Sequence, residues 1–157
     1  MTPTRTYEEI RQLLIEQIEQ IAGFRHARHL FTGVNTQGAV IGDRTFDVQV
    51  GTSRVISSAR SGAEQVEAVF RIRLRHRASL LQGAPATATP GVDRDRVERV
   101  LRSTGSQIPD DIRVRWPGTA EPKINVPGFL DTDIQMECGF WRQVTAPPEA
   151  AAAGSVS

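Results

Sequence analysis

At 157 residues, with 39% hydrophobic and 24% charged residues, the chain has the size and composition of one globular domain. Its formal net charge of +1 gives no global reason to expect nucleic acid or an anionic membrane as the main partner. No apolar run approaches the roughly 18 residues a membrane helix needs, the N-terminus "MTPTRTYEEI" lacks a secretory signal pattern, and Cys138 has no second cysteine to pair with, so the chain is expected to stay in the cytoplasm where it is made.

The first element is a helix expected from about Tyr7 to Ala22. Ile10, Leu13, Leu14, Ile18 and Ile21 recur at helical spacing, and Thr6 followed by Glu9 has the spacing of a capping box. Gly23 is a natural stop. From residue 28 the period changes. Residues 28 to 34 read as a short strand, and Phe46, Val48 and Val50 alternate with Asp47 and Gln49 as a strand with one buried face. "SSARSGAEQ" is polar, small and glycine-containing, and reads as a loop.

A long strand follows, from about Glu64 to Arg77. Val66, Ala68, Phe70, Ile72 and Leu74 fall on one face, while Glu67, Val69, Arg71, Arg73, Arg75 and Arg77 fall on the other. Such a strand exceeds the usual length in a small domain. "LLQGAPATATPG" has linker composition. "VDRDRVERVLRS" then puts Val97, Val100 and Leu101 on one side of a helix, with Asp93 and Asp95 near its positive end. "DIRVRW" alternates again, with Ile112, Val114 and Trp116 against Arg113 and Arg115. After the loop "PGTAEPKINVPGFLDT" comes a last strand, in which Ile134, Met136, Cys138 and Phe140 alternate with Gln135, Glu137, Gly139 and Trp141. The tail from residue 145 has no apolar pattern and is expected to be disordered, leaving residues 1–144 as a single domain. Cleanly alternating strands and two amphipathic helices predict an α+β fold, a mainly antiparallel sheet covered on one face by the helices.

Residues that carry chemistry are few. His26 and His29 have a spacing that suits a metal on a helix, but a zinc site wants three or four ligands and nothing supplies the rest. Cys138 lies at a core position of its strand and reads as a buried, inert thiol. Asp93 and Asp95 read as helix-start residues. Asp131 and Asp133 resemble a pair of cation ligands without the loop spacing that would complete a site. No P-loop, dinucleotide-binding glycine pattern or G-x-S-x-G is present. No catalytic residue, metal or cofactor is therefore assigned, and the chain is not expected to be an enzyme.

The arginine row remains. Arg71, Arg73, Arg75 and Arg77 project from one face of one strand, and Arg113 and Arg115 extend the patch if their strand is a neighbour. Three readings stay open: a solvated sheet face, an ion-pairing surface for another subunit, or a path for phosphates. Phe129, placed in the Pro/Gly-rich loop, and Trp141, on the polar face of the last strand, are candidate apolar anchors for a contact.

The helix "TYEEIRQLLIEQI", the strand "FDVQV", the long strand after a loop, the Pro/Gly linker into "RDRVERVLRS" and the closing strand "TDIQMECGFWRQV" together resemble the tail terminator proteins of tailed bacteriophages and the neck and tail-completion proteins that share their fold. The resemblance covers about residues 6 to 144 and rests on element order and size. It implies a structural virion protein, assembled in the bacterial host cytoplasm. The chain would form a ring, expected as a homohexamer, at the head-proximal end of the tail. That ring would end polymerisation of the tail tube protein and join the tail to the head connector or stopper protein, with DNA passing through its lumen. The expected interface residues are Arg71, Arg73, Arg75, Arg77, Arg113, Arg115, Phe129 and Trp141. Reversing charge at Arg73 and Arg75 is then expected to weaken the ring and leave the folded chain nearly unchanged. The alternatives are another head-completion or tail tube subunit, a small nucleic-acid-binding α+β domain that uses the Arg71–Arg77 face, and a small enzyme or ligand-binding domain.

Overall fold

The capping box forms as its spacing predicts. In the computed structural model the Thr6 hydroxyl accepts from the Glu9 amide at 3.1 Å, and the Glu9 carboxylate accepts from the Thr6 amide at 2.9 Å. The structure describes residues 3–21, 23–28, 30–31, 44–58, 62–77, 90–102, 109, 111–119, 122–125 and 127–144. Helix α1 spans Tyr7–Glu19 and buries Ile10, Leu14, Ile15 and Ile18. It ends before Ala22, which lies outside the described residues. Gly23 follows at a φ of 90°, a backbone state that favours glycine.

The strands are β1 (Arg25–His26), β2 (Thr45–Ser58), β3 (Ala63–Arg77), β4 (Arg113–Thr119) and β5 (Phe129–Gln143), with helix α2 (Pro90–Arg102) between β3 and β4. Proline at the first helical position suits α2, because its missing N–H has no helical partner there. Several boundaries differ from the expected ones. An early strand is Arg25–His26; of the strand expected over 28–34, Arg28, Leu30 and Phe31 lie in turns and residues 29 and 32–34 lie outside the described residues. Ser57, Ser58 and Ala63, expected in a loop, are paired strand residues. Phe129, expected in a loop, opens β5. Of the expected linker over 80–91, Pro90 and Gly91 open α2 and the rest lies outside the described residues, as does the expected tail over 145–157.

One five-stranded sheet runs in the order β1-β2-β3-β5-β4. β1 pairs with β2 in parallel, and every other pairing is antiparallel. Alternation sends even-numbered residues of β3 and β5 toward the helices. Register stacks them in rows: Val48 with Ile72 and Ile134, Val50 with Phe70 and Met136, and Ala68 with Cys138 and Val114. These rows and the stripes of α1 and α2 make one apolar core. Burial of its fully covered side chains is worth roughly 1.5–3 kcal/mol each before entropy is counted. The fold is thus α+β, with a mostly antiparallel sheet and both helices packed into the same core.

The chain order of the sheet has one local complication. Between Val50 and Ser53, and again between Val55 and Ser57, the β2–β3 register slips by a residue. Beyond the first slip every residue of β2 from Gly51 to Ser58 is exposed. Tyr7 at the start of α1 reaches Ser53 through a 3.1 Å contact between hydroxyls, while the β3 partners Val66 and Ala68 stay buried in the core, so the outer half of β2 alone forms an exposed arm at the sheet edge.

Candidate functional site

The arginine row is inside an ion-pair ladder made by the chain itself. β5 lies beside β3 with Arg73 opposite Asp133 and Arg75 opposite Asp131. Each pair is bidentate, at 2.8 and 2.9 Å for Arg73–Asp133 and 2.7 and 2.8 Å for Arg75–Asp131. A planar guanidinium matches a carboxylate at two points, which fixes both side chains. Arg75 is 2% exposed and Asp131 1%. The Leu30 carbonyl accepts from Arg73 at 3.2 Å, and Asn125 donates to Asp131 at 2.9 Å. The Phe31 ring lies 4.5 Å from the Arg73 guanidinium, and Phe129 lies 5.6 Å from that of Arg75. Its hydrogen bond to Asp133, outweighing burial, raises Arg73 above its ordinary value.

Two expectations change here. Arg73 and Arg75 already have partners, so charge reversal there strikes the fold as well as any contact. Asp131 and Asp133 are those partners, not a cation pair. The sheet's polar face is also not uniformly wet, since Thr45, Asp47, Arg75 and Asp131 are all buried on it.

The other candidates spread apart. Arg71 lies opposite Gln49 and Gln135 and is half-buried. Arg77 has its guanidinium 6.0 Å from the Phe129 ring. Phe129 is buried, so it is a covering group for the arginines and not an open anchor. β4 does not adjoin β3, because β5 lies between them. Arg113 and Arg115 therefore form a separate feature: both are exposed, and Arg115 meets Glu137 at 3.4 Å with its side chain 70% exposed. Trp141 is half-buried near the opposite end of β5 from Phe129, about 40 Å away at 3.3 Å per residue. The structure thus brings together Arg73, Arg75, Arg77 and Phe129, and separates them from Arg113, Arg115 and Trp141.

A second charged cluster had not been anticipated. His76 and Asp93 are both fully buried, and His76 Nε2 is 2.7 Å from Asp93 Oδ2. Arg44 grips the same carboxylate with two hydrogen bonds at 3.0 and 2.9 Å. Burial pushes the Asp93 carboxyl up, but the hydrogen bonds from His76 and Arg44, with their charges, hold it below its ordinary value. The cluster ties α2 to β3 and to the residue before β2. Arg44 has a φ of 56°, and its guanidinium sits where a Gly23 side chain would go.

His26, expected at a helix end, is on β1, and His29 lies outside the described residues. His26 Nε2 is 2.9 Å from Asp47 Oδ1, which also accepts from Arg11 at 3.3 Å and from the Val48 amide at 2.9 Å. These groups line a cleft of about 720 Å³ between α1 and the edge of β2, with Ile15, Phe31 and Val50 on its walls. Cys138 is buried, and burial, with the charge of Glu137 behind it, pushes its thiol up to about 12. Among the described residues no group of three or more His, Cys, Asp or Glu side chains could hold a metal ion, and no helix is long and apolar enough to cross a membrane.

The arrangement can join surfaces. Its charged groups are largely committed to one another, while an extended arm and two exposed arginines on β4 face outward. No protein-family model matches the chain, and no curated protein matches its sequence.

Proposed function

We propose that the chain is a structural assembly subunit, and specifically a tail terminator: a phage virion protein whose ring closes the head-proximal end of the tail and offers a surface to the head connector. The observation that carries this is the exposed outer arm of β2. Gly51 to Ser58 form a strand segment that is exposed throughout, with Val55 53% and Ile56 46% exposed, and among the described residues none of its side chains belongs to the core. Strands that outrun their own core are natural material for contacts between subunits. The element order and the two-layer α+β architecture agree with the family that the sequence resembles.

In this reading the contact residues shift outward. Arg113, Arg115 and the arm replace Arg73 and Arg75, whose intrachain partners leave little for another chain. The nucleic-acid reading loses ground for the same reason, since bidentate carboxylates compete directly with phosphate. Light scattering behind a sizing column, with negative-stain images, tests the proposal. A ring of fixed size, formed alone or on tail tubes, is the expected result. Unlimited polymerisation would indicate a tube subunit, and a monomer that ignores tubes would overturn the reading.

A further inference from the structure

We infer that Arg11, Asp47 and His26 form an edge guard: they keep the outward backbone groups of Val48 occupied, end β1 after two residues and shut the middle of the β2 edge to a further strand. The inference rests on contacts within one chain and is independent of the ring.

The ladder between β1 and β2 shows where the guard acts. The two strands run parallel, with Arg25 opposite Thr45 and His26 opposite Phe46. The Arg25 amide donates to the Arg44 carbonyl at 3.2 Å, and the Ala27 amide to the Phe46 carbonyl at 2.9 Å. A parallel ladder advances two residues at a time, so its next rungs would use the amide and the carbonyl of Val48. Both are already taken. The amide donates to Asp47 Oδ1 at 2.9 Å, and the carbonyl accepts from Arg11 Nε at 2.7 Å. At this one residue, side chains make both of the bonds that an added strand would make.

The guard is held from several sides. Asp47 Oδ1 also meets Arg11 Nη2 at 3.3 Å and His26 Nε2 at 2.9 Å. Arg11 stands on α1, which Ile10, Leu14 and Ile18 fix in the core, and its Nη1 donates to Glu8 one turn earlier at 2.9 Å. The His26 ring lies 5.4 Å from the Phe46 ring. Asp47 is 5% exposed, so its carboxylate cannot turn to water when a bond is broken. An incoming strand would have to displace Arg11 and leave that carboxylate short of donors, and it would gain only neutral amide bonds in return. Inward-pointing charges are one of the means by which sheet edges avoid pairing. The same bonds account for the charged wall of the cleft between α1 and β2, whose Arg11, His26 and Asp47 are committed to one another and to Val48.

Two readouts on the full chain test this. The first is hydrogen exchange at the Val48 amide, followed by NMR. Asp47→Ala is expected to speed it roughly tenfold or more, the loss of one hydrogen bond to a charged acceptor, while Asp47→Asn, whose amide oxygen can accept from the same N–H, stays near the parent. The second is a labelled peptide with the sequence of residues 45–50, titrated by fluorescence anisotropy. It is expected to ignore the parent and Asp47→Asn and to bind Asp47→Ala and Arg11→Ala. The Arg11 side chain is partly exposed, so Arg11→Ala keeps the fold and carries the test even if Asp47→Ala does not fold. Leu101→Ala truncates a buried side chain of α2 away from the β2 edge, and this destabilised chain is expected not to bind the peptide. Binding to the parent, binding to Leu101→Ala as strongly as to the guard variants, or binding to none of the variants overturns the inference. So does unchanged Val48 exchange in Asp47→Ala. A closed ring of the parent is compatible with each of these results, so the two proposals stand or fall separately.

Discussion

Arg75 and Asp131 face each other across β3 and β5, joined by two hydrogen bonds of 2.7 and 2.8 Å in a place water does not reach. Removing one member strands the other. Asp131→Ala is expected to lower the unfolding free energy by about 3–5 kcal/mol, because a buried guanidinium loses the carboxylate it grips at two points. Arg75→Met with Asp131→Leu should recover most of that loss, since the pair is then replaced by apolar groups of similar size. Urea denaturation of the three proteins measures both. A loss below about 1 kcal/mol for Asp131→Ala would mean that the pair is solvated in solution.

Asp93 predicts an acid dependence. Its carboxyl is held below the ordinary value of 3.8 in the folded chain. A depressed carboxyl contributes stability that is fully present above 3.8 and is lost as pH falls through the folded value. Thermal melts from neutral pH down to about pH 2 should therefore show a steep loss below pH 4 in the parent and a shallower one in Asp93→Asn. Equal slopes would remove Asp93 from the account.

Gly23→Ala should destabilise by about 1–3 kcal/mol from backbone strain at a φ of 90°, with a further loss because the new methyl meets the Arg44 guanidinium. The double variant Gly23→Ala/Arg44→Ala separates the two effects by melting temperature. If steric displacement of Arg44 contributes, the two substitutions will not add.

Arg113→Glu with Arg115→Glu should leave the fold within about 1 kcal/mol of the parent, because both side chains are exposed and the Arg115–Glu137 contact is a surface pair. The same reversal at Arg73 and Arg75 should unfold a large fraction of the chain. Circular dichroism in urea distinguishes the two pairs before any assembly assay is run.

The Cys138 thiol, pushed up to about 12, should react with a disulfide reagent only after denaturant opens the core. Rapid labelling of the native chain at neutral pH would contradict its placement.

The elements of the fold were legible because their periods are clean. Phe70, Ile72 and Leu74 mark a strand face without help from any other residue, and Thr6 with Glu9 marks a helix start. Pairing was less legible, because register is a long-range property. The matched spacing of Arg73 and Arg75 with Asp131 and Asp133 was the available signal for the ladder: two cations and two anions, each set on one strand face. His76 offered another. It falls at a core position of its strand, where an imidazole needs a partner, and Asp93 shares a helical face with Val97 and Leu101. The separation of β4 from β3 had no signal in local pattern, since it follows from where β5 inserts, and the exposed arm of β2 begins at a register slip that is a property of two strands together.

That insertion sets an order of events. β5 is the last strand in the sequence, yet it is flanked on both sides by earlier ones. Until residues 129–143 emerge from the ribosome, β3 has only β2 beside it and β4 has no neighbour at all. The hairpin of β2 and β3 must wait, marginally stable, for a strand more than fifty positions later to close the gap, as the separation of 56 between Arg75 and Asp131 illustrates. Folding of this chain is therefore a late and concerted act of synthesis, and a nascent chain halted before β5 would present one open edge of β3 and a wholly unpaired β4 to whatever surrounds it.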